Sequence, residues 1–344
     1  MSVSEPTPLP SRVRAHVDFD ATGKRFGYLT VPHSRDESAW GSIRLPIVSI
    51  RGGDGPTVVF TAGNHGDEYE GQIALLKLAR ELDPARVAGQ VIIVPSLNLP
   101  AVDAGTRLSP VDGLNMNRVF PGRRDGTVTL MIADFIYREV LTRADVVVDI
   151  HSGGKTLDFV PCAVMHELAD KDIQRRTVDA LMAFAAPVGL VLVELDSQGT
   201  LDTAVEQMGT LFLSTELGGG GSVTAETMRI ADTGVRNVLS HFGVIEGRPV
   251  RREDLGYAAT RLMNTPDDGF VGAAEGGMHE VLVDLGEEVE AGQPIGRVHD
   301  YHNPDREPSV YHAPCSGMLI CRHYPGLVRS GDCLAVIATD YRPA

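Results

Sequence analysis

The chain has 344 residues, enough for a large domain and a smaller second one, and its 43% apolar and 22% charged residues are typical of globular proteins. A net charge of −15, from 31 basic and 46 acidic side chains, argues against nucleic acid or an anionic membrane as partner and favours a small molecule. No apolar run approaches the roughly 18 residues of a membrane span, and the first eleven residues do not resemble a signal peptide. The four cysteines lack a CxxC pair, which fits the cytoplasm. The oligomeric state stays open, with a homo-oligomer among the possibilities.

The first two thirds of the chain have the pattern of an α/β fold. Residues 12–50 are predicted to form extended segments that precede the main sheet. Short β-branched runs then alternate with segments of helical period, which favours a mixed, largely parallel sheet flanked by helices. The predicted strands are 57–61, 91–94, 146–150 and 211–215, and the predicted helices are 71–82, 128–141 and 224–239.

A second domain is predicted from residue 253 to residue 344, after a catalytic domain of residues 1–252. Helical periodicity stops there, and two similar strand-turn-strand units begin with Gly277-Met278 and Gly317-Met318. This near-repeat predicts a small β-barrel-like domain that resembles biotinyl and lipoyl carrier domains. Those domains carry their cofactor on a lysine, whereas the last lysine of this chain is Lys171. A carrier function is therefore the weakest hypothesis.

Two short motifs predict a metal site. The first predicted strand continues into Gly63-Asn-His65-Gly-Asp-Glu68, and the third ends in Asp149-Ile-His151-Ser-Gly-Gly. Two histidines and a glutamate form an established ligand set for catalytic zinc, and ligands of open α/β sheets gather at the carboxyl ends of strands. We expect one Zn²⁺ per chain on His65, Glu68 and His151. Asp149 either supports His151 or has a structural role, and the glycines after His151 are expected to leave room for substrate.

A second carboxylate ends the fourth predicted strand. Glu216 stands in Ser-Thr-Glu-Leu and is followed by four glycines. Hydrolysis of an amide at a metal ion requires a group that takes a proton from water and returns it to the leaving nitrogen. Glu216 is predicted to be this general base, and a solvated or helix-capping acid is the alternative.

The long irregular segment between the second and third strands contains two arginines amid turn residues. Such loops in compact domains are usually functional. Arg107 is a candidate to polarise the scissile carbonyl, and Asn117 with Arg118 to bind a carboxylate. Solvated surface arginines are the alternative.

Together, the motifs GNHGDE, NMNR, DIHSGG and TELGGGG resemble the succinylglutamate desuccinylase and aspartoacylase family, which has a zinc carboxypeptidase-like fold. The resemblance implies zinc ligands at His65, Glu68 and His151, with Glu216 as base. It also implies that Arg107 polarises the carbonyl and that Asn117 and Arg118 hold the substrate carboxylate. Longer segments, such as AGTRLSPVDGLNMNRVFPG and LDSQGTLDTAVEQMG, resemble the branch that deacetylates Nα-acetyl-L-2,4-diaminobutyrate in ectoine breakdown.

The acidic stretch after residue 193 is relevant to the charge of the substrate side chain. Aspartoacylase and desuccinylase substrates carry a second carboxylate, whereas acetylated diaminobutyrate carries an ammonium group. Asp196 and Asp202 lie in a segment, 195–203, that contains Gly199 and is predicted to form a loop over the site. We expect them to bind the ammonium group, although both fit surface turn residues as well. A zinc carboxypeptidase is a further alternative, which a narrowed active-site entrance would disfavour.

Overall fold

The computed structural model of the protein describes residues 10–192 and 198–341. The α-helices are α1 (Glu70–Glu81), α2 (Leu99–Ala104), α3 (Val128–Phe135), α4 (Lys171–Phe184), α5 (Leu201–Glu206) and α6 (Ala225–His241). The strands before residue 252 are β1 (Arg14–Ala15), β2 (Gly23–Pro32), β3 (Ser42–Arg51), β4 (Thr57–Ala62), β5 (Gln90–Val94), β6 (Val146–His151), β7 (Leu157–Phe159), β8 (Cys162–His166), β9 (Val188–Leu192) and β10 (Leu211–Glu216). Those after it are β11 (Arg261–Asn264), β12 (Phe270–Gly272), β13 (Gly277–Val281), β14 (Glu288–Val289), β15 (Pro294–His299), β16 (Ser309–His312), β17 (Gly317–His323), β18 (Leu327–Val328) and β19 (Cys333–Asp340).

The main sheet has the strand order β1-β2-β3-β5-β4-β6-β10-β8-β9-β11-β19-β17-β14. Strands β5, β4, β6 and β10 pair in parallel at its centre, and β8 pairs in parallel with β9. The pairs β3–β5 and β10–β8 are antiparallel. The sheet is therefore mixed with a parallel centre, and the α/β fold predicted from the alternating pattern is confirmed.

Helices cover both faces of the central strands. On β4, Val58 and Phe60 pack into a core with α1, α4 and α6, whereas Val59 packs into a second core with α3 and α5. This division follows from the strand geometry, because successive side chains point to opposite faces. Every residue of β5 and β6 is buried. Burial on both faces explains why these strands appear in the sequence as continuous β-branched runs.

The predicted helices are confirmed with one exception. Helices α1 and α6 agree with prediction to within two residues at each end, and Thr224 caps α6 through its side chain. The second predicted helix, 128–141, is α-helical only in its first half, because residues 136–140 form a π turn and residues 141–143 a 3-10 turn. The periodicity of the sequence did not identify β8, β9 or α4. Within residues 10–192 and 198–341, no helix is long and apolar enough to cross a bilayer.

The strands after residue 252 form no closed barrel within the described residues, so this part of the prediction is not confirmed. Strand β11 pairs in parallel with β9, and β17 pairs with β7, so part of this region extends the main sheet. Strands β13, β15, β16 and β18 form a separate four-stranded sheet. The near-repeat corresponds to the starts of β13 and β17, which belong to different sheets. The division of the chain at residue 252 stays a prediction.

The contact between α1 and the sheet depends on Gly71. A Cβ atom at this position would lie 2.6 Å from Cβ of Ile150 and 2.9 Å from Cβ of Ala62. We therefore predict that Gly71→Val lowers the free energy of unfolding by about 1–3 kcal/mol, because the added atoms overpack the interface. Chemical denaturation measures this change. Leu76→Val on the exposed side of α1 is the control, since it introduces the same β-branched residue without the clash. Equal losses in the two variants would contradict the packing argument.

Candidate metal centre and active site

The site lies at the carboxyl ends of three adjacent parallel strands, β4, β6 and β10. Ala62 at the end of β4 is in register with Ile150, and Glu216 at the end of β10 is in register with His151. The loop from β4 to α1 carries His65 and Glu68, so the parallel register brings all four functional groups to one edge of the sheet.

His65, Glu68 and His151 form a compact buried cluster. Each offers one ligand atom, and these atoms lie within 4.8 Å of one another. The Glu68 carboxylate lies between the rings, with Oε1 2.6 Å from Nδ1 of His65 and Oε2 2.8 Å from Nδ1 of His151. The backbone N–H of Ser152 also donates to Glu68 Oε2. The three residues predicted as metal ligands are therefore brought together.

Each imidazole has an oxygen acceptor on its outer side. Nε2 of His151 lies 2.7 Å from Oδ2 of Asp149, and Nε2 of His65 lies 3.1 Å from Oδ1 of Asn115. Asp149 is itself held by Thr61 and Asn64, which donate to its two oxygens at 2.6 and 2.9 Å. These contacts favour the tautomers that carry the proton on Nε2, which leaves both Nδ1 lone pairs directed at Glu68.

This arrangement fits a divalent cation. Two lone-pair nitrogens and a carboxylate that face one another at these distances require positive charge among them, from protons or from a metal ion. Without a cation, Asp149 and Glu68 outweigh burial and raise the pKa of His151, while burial lowers the pKa of His65. Two nitrogens and one oxygen on one side of a cavity match the ligand set of catalytic zinc, which keeps a position open for water or substrate.

Glu216 faces the same cavity. Its side chain is partly buried, and none of the described residues offers a hydrogen-bond donor to its enclosed Oε2 atom. Burial, and then the negative charge of Glu68, raise the pKa of Glu216 to about 8. A cation held by Glu68 would counteract that negative charge. Since buried carboxylate oxygens normally have partners, an orphaned oxygen in a cavity is typical of a group that acts on a ligand.

The predicted arginines also line the cavity. Arg107 directs Nη1 towards the cluster, 3.3 Å from Nδ1 of His65 and 3.7 Å from Oε1 of Glu68. Arg118 borders the cavity and donates to the carbonyl of Asn117. The side-chain oxygen of Asn117 accepts from the backbone N–H of Leu201, so Asn117 connects the arginine turn to the start of α5.

Gly199 packs closely against the backbone of Arg118. Its φ of +77° is favourable only for glycine, and a Cβ atom there would lie 2.5 Å from the carbonyl oxygen of Arg118. The prediction of a loop over residues 195–203 was wrong for Leu201, Asp202 and Thr203, which form the first turn of α5. Asp202 lines the cavity, whereas Asp196 lies outside the described residues.

The glycines after His151 and Glu216 have a packing role in addition to the predicted open space. Gly153 lines the cavity, but a Cβ atom there would lie 2.3 Å from the carbonyl oxygen of Leu157. A Cβ atom at Gly219 would lie 1.9 Å from the same oxygen. These glycines therefore also allow the backbone at Leu157 to pack closely against both loops.

Sequence reasoning missed two polar parts of the site. Asn115 contacts His65, and its NMNR context was interpreted only through Asn117 and Arg118. His166, at the end of β8, lines the cavity near Asp202. Strand β8 was not predicted, so nothing in the pattern connected this histidine with the other strand ends. Apolar side chains complete the wall: Leu157, Phe159, Val164, Met165, Leu192 and Phe212.

Comparison with known proteins agrees with this geometry. Residues 54–242 match the model of the succinylglutamate desuccinylase/aspartoacylase catalytic domain. The chain belongs to the succinylglutamate desuccinylase/aspartoacylase family. It is 46% identical to the N-alpha-acetyl-L-2,4-diaminobutyric acid deacetylase of Halomonas elongata, over 96% of this chain and 95% of the relative.

Solved structures of this family superpose over nearly the whole chain. The product-bound ectoine utilization protein EutE (DoeB) from Ruegeria pomeroyi has a TM-score of 0.92 and 46% identity, covering 96% of this chain and 99% of the other. An aspartoacylase family protein from Mesorhizobium loti has a TM-score of 0.84 and 33% identity, with coverage of 96% and 99%. Family membership identifies the chain as a deacylating amide hydrolase, as its motifs predicted.

The cluster geometry generates a prediction about metal content. His65→Ala and His151→Ala should each lose bound metal and activity together, because each removes one of three ligands. Elemental analysis of the purified protein, with circular dichroism as a check on folding, measures this loss. His16→Ala, at an exposed histidine of the N-terminal segment, is the control and should keep its metal. Full metal content in a folded His65→Ala or His151→Ala protein would refute the ligand assignment.

Proposed function

We propose that this protein is a zinc-dependent deacetylase that hydrolyses Nα-acetyl-L-2,4-diaminobutyrate to acetate and L-2,4-diaminobutyrate. One observation carries the proposal: the cavity that contains the His65–Glu68–His151 cluster and Glu216 also contains the acidic side chain of Asp202. The similarity to the Halomonas elongata deacetylase over almost the full length of both chains supports the same substrate.

In this proposal His65, Glu68 and His151 hold one Zn²⁺, and Asp149 and Asn115 orient the two imidazoles. Bound zinc supplies Lewis-acid polarisation of the acyl carbonyl and lowers the pKa of the attacking water. The outer hydrogen bonds keep both Nδ1 atoms unprotonated and directed at one point, which a ligand set of this kind requires.

Glu216 is the proposed general base. Its unpartnered Oε2 atom is positioned to take a proton from the attacking water and return it to the leaving amino group. The buried setting favours this exchange because a carboxylate that has lost its hydration accepts a proton more readily. Glu216 is in register with His151 on the neighbouring strand, so the proposed base lies beside the three proposed metal ligands.

The two arginines divide the remaining polar contacts with the substrate. Arg107, whose guanidinium faces the cluster, stabilises negative charge that develops on the acyl oxygen. Arg118 binds the α-carboxylate in a charge-assisted pair, and Asn117 keeps the Arg118 turn in place through Leu201. Arg107 and Arg118 are both exposed in the structure, which suits side chains that substrate would cover on binding.

The acid in the cavity supports one substrate among the related ones. The side chain of acetylated diaminobutyrate ends in an ammonium group, whose burial without a partner would be costly. Asp202 is 9% exposed and lines the cavity, which suits it as the partner, and Asp196 remains a second candidate. An aspartoacylase or a succinylglutamate desuccinylase needs a cation at this place instead, so a carboxylate here disfavours those activities.

The role of Glu216 is testable by an isosteric change. We predict that Glu216→Gln retains the metal but lowers kcat on the order of a hundredfold or more, because an amide cannot accept the proton. Acetate release measured beside metal content separates these two effects. Glu226→Gln, at an exposed glutamate in the first turn of α6, is the matched control. Near wild-type turnover in Glu216→Gln would remove this residue from the mechanism.

Substrate choice tests the proposed function as a whole. We expect the highest kcat/KM with Nα-acetyl-L-2,4-diaminobutyrate and much lower values with N-acetylaspartate and N-succinylglutamate, because their additional carboxylates would face Asp202. Asp202→Asn should reduce this preference, mainly through slower hydrolysis of the diaminobutyrate substrate. If N-acetylaspartate or N-succinylglutamate has the higher kcat/KM, the substrate assignment is wrong even where the metal prediction holds.

A further inference from the structure

Lys155 connects two neighbouring loops of the proposed active site. It lies in the loop after β6, shortly after His151. Its backbone N–H donates to Oδ2 of the buried Asp67 at 3.0 Å, in the loop between β4 and α1. Its ammonium group donates to the carbonyl oxygen of Gly105, at the end of α2. The same residue is therefore bound to both loops, once through its backbone and once through its side chain.

The aliphatic part of Lys155 is packed, although the residue as a whole is exposed. It lies against Gly221, where a Cβ atom would be 2.8 Å from Cγ of Lys155. Gly221 has a φ of +64°, and its backbone N–H donates to the carbonyl of Gly154 at 2.7 Å. Long basic side chains often pack their stems in this way while the charged group reaches a polar partner. The stem therefore directs the ammonium group towards Gly105.

The carbonyl of Gly105 belongs to the segment that carries Arg107. Carbonyls at the C-terminal end of a helix lack partners within the helix, and lysine side chains commonly bind them. The next residue, Thr106, accepts from the backbone N–H of Gly66 at 2.9 Å. Arg107 then directs Nη1 towards Nδ1 of His65 at 3.3 Å. The Arg107 side chain is itself exposed, so its placement depends on the backbone that the lysine binds.

Lys155 is absent from the cavity lining formed by the described residues, whereas Arg107 is part of it. We propose that Lys155 is a positioning residue for Arg107: its ammonium group holds the end of α2 so that the guanidinium stays directed at the acyl oxygen. This inference rests on the role of Arg107 in the proposed function and adds a residue outside the cavity on which that role depends. Stabilisation of developing charge requires well-placed donors, so a small shift of the guanidinium lowers the rate.

The main test is Lys155→Met, which keeps an aliphatic stem against Gly221 and removes the donor. We expect kcat for Nα-acetyl-L-2,4-diaminobutyrate to fall about fivefold or more, with KM changed by less than about twofold. Arg107 acts on charge that develops during bond breaking, so its misplacement lowers kcat. Metal content should not change. Lys155→Arg, whose guanidinium can donate to the same carbonyl, should restore kcat to about half the wild-type value or more.

A double-mutant cycle determines whether Lys155 acts through Arg107. Arg107→Ala alone should lower kcat about a hundredfold, since it removes one donor to the acyl oxygen. Adding Lys155→Met to this variant should lower kcat further by less than about twofold, because the lysine then has no guanidinium to position. An equal loss with and without Arg107 would identify a general structural effect and would refute the inference.

Lys24→Met is the matched control. Nζ of Lys24 donates to the carbonyl of Arg80 at 2.8 Å, in the last turn of α1, at the end of that helix away from Glu68. The variant therefore loses the same kind of bond between a lysine and a helix-end carbonyl, but away from the site. Its kcat and KM should equal those of the wild type. A loss as large as that in Lys155→Met would contradict a role specific to the Arg107 segment.

Hydrogen exchange provides a readout without turnover. Lys155→Met should accelerate amide exchange in residues 105–108 about threefold or more, since the loss of one hydrogen bond makes local opening easier. Lys24→Met should leave exchange in this segment unchanged. Wild-type exchange rates in Lys155→Met would exclude the positioning role even if kcat falls. If Lys155→Met does not fold, Lys155→Gln, whose shorter side chain stays polar, decides by the same measurements.

The outcomes separate this inference from the proposed function. Wild-type kcat in Lys155→Met, together with a large loss in Arg107→Ala, would overturn the positioning role and leave the proposed function intact. Wild-type kcat in Arg107→Ala would remove the proposed role of Arg107 and this inference with it. If the wild-type enzyme does not hydrolyse the diaminobutyrate substrate, the substrate assignment fails, and the same cycle measured with the N-acyl amino acid that it does hydrolyse decides the role of Lys155.

Discussion

The site depends on one buried carboxylate placed between two imidazoles. Glu68 is 3% exposed and lies within 2.8 Å of a nitrogen from each ring, and both histidines are buried as well. Burial alone would raise its pKa, but the adjoining histidines hold the pKa of Glu68 below its ordinary value. Keeping three such groups together in the interior requires positive charge and rigid support, and the surrounding structure supplies the support.

That support comes from several parts of the chain. Asp149 holds His151 and is held by Thr61 and Asn64 from the neighbouring strand and its loop. Asp67 accepts from the backbone N–H of Lys155, which joins the loop that carries His65 and Glu68 to the loop after β6. Because these bonds connect different elements, the cluster geometry depends on the whole central sheet and cannot form from either motif alone.

The region after residue 252 contributes to the cavity through strand pairing. Leu157 and Phe159 line the cavity and form β7, which pairs with β17. Arg322 of β17 also contacts the side chain of Asp158, and the ring of Tyr324 lies against Gly220 in the glycine run after Glu216. The cavity wall formed by β7 is therefore held in place by its pairing with β17 of the C-terminal region. This wall helps to enclose a cavity suited to small substrates.

The sequence by itself determined the α/β fold class, the central strands and the His65–Glu68–His151 cluster, because β-branched runs and strand-end motifs are local patterns. It also located Glu216 and Arg107 at the site. Only the tertiary structure decided that β11 extends the main sheet, that Leu201 to Thr203 begin a helix, and that Asn115 and His166 join the site. Their roles arise from contacts between residues distant in the chain, such as His166 with Glu206, 40 positions apart. Pairing partners and cavity walls are set by packing, which no local periodicity encodes.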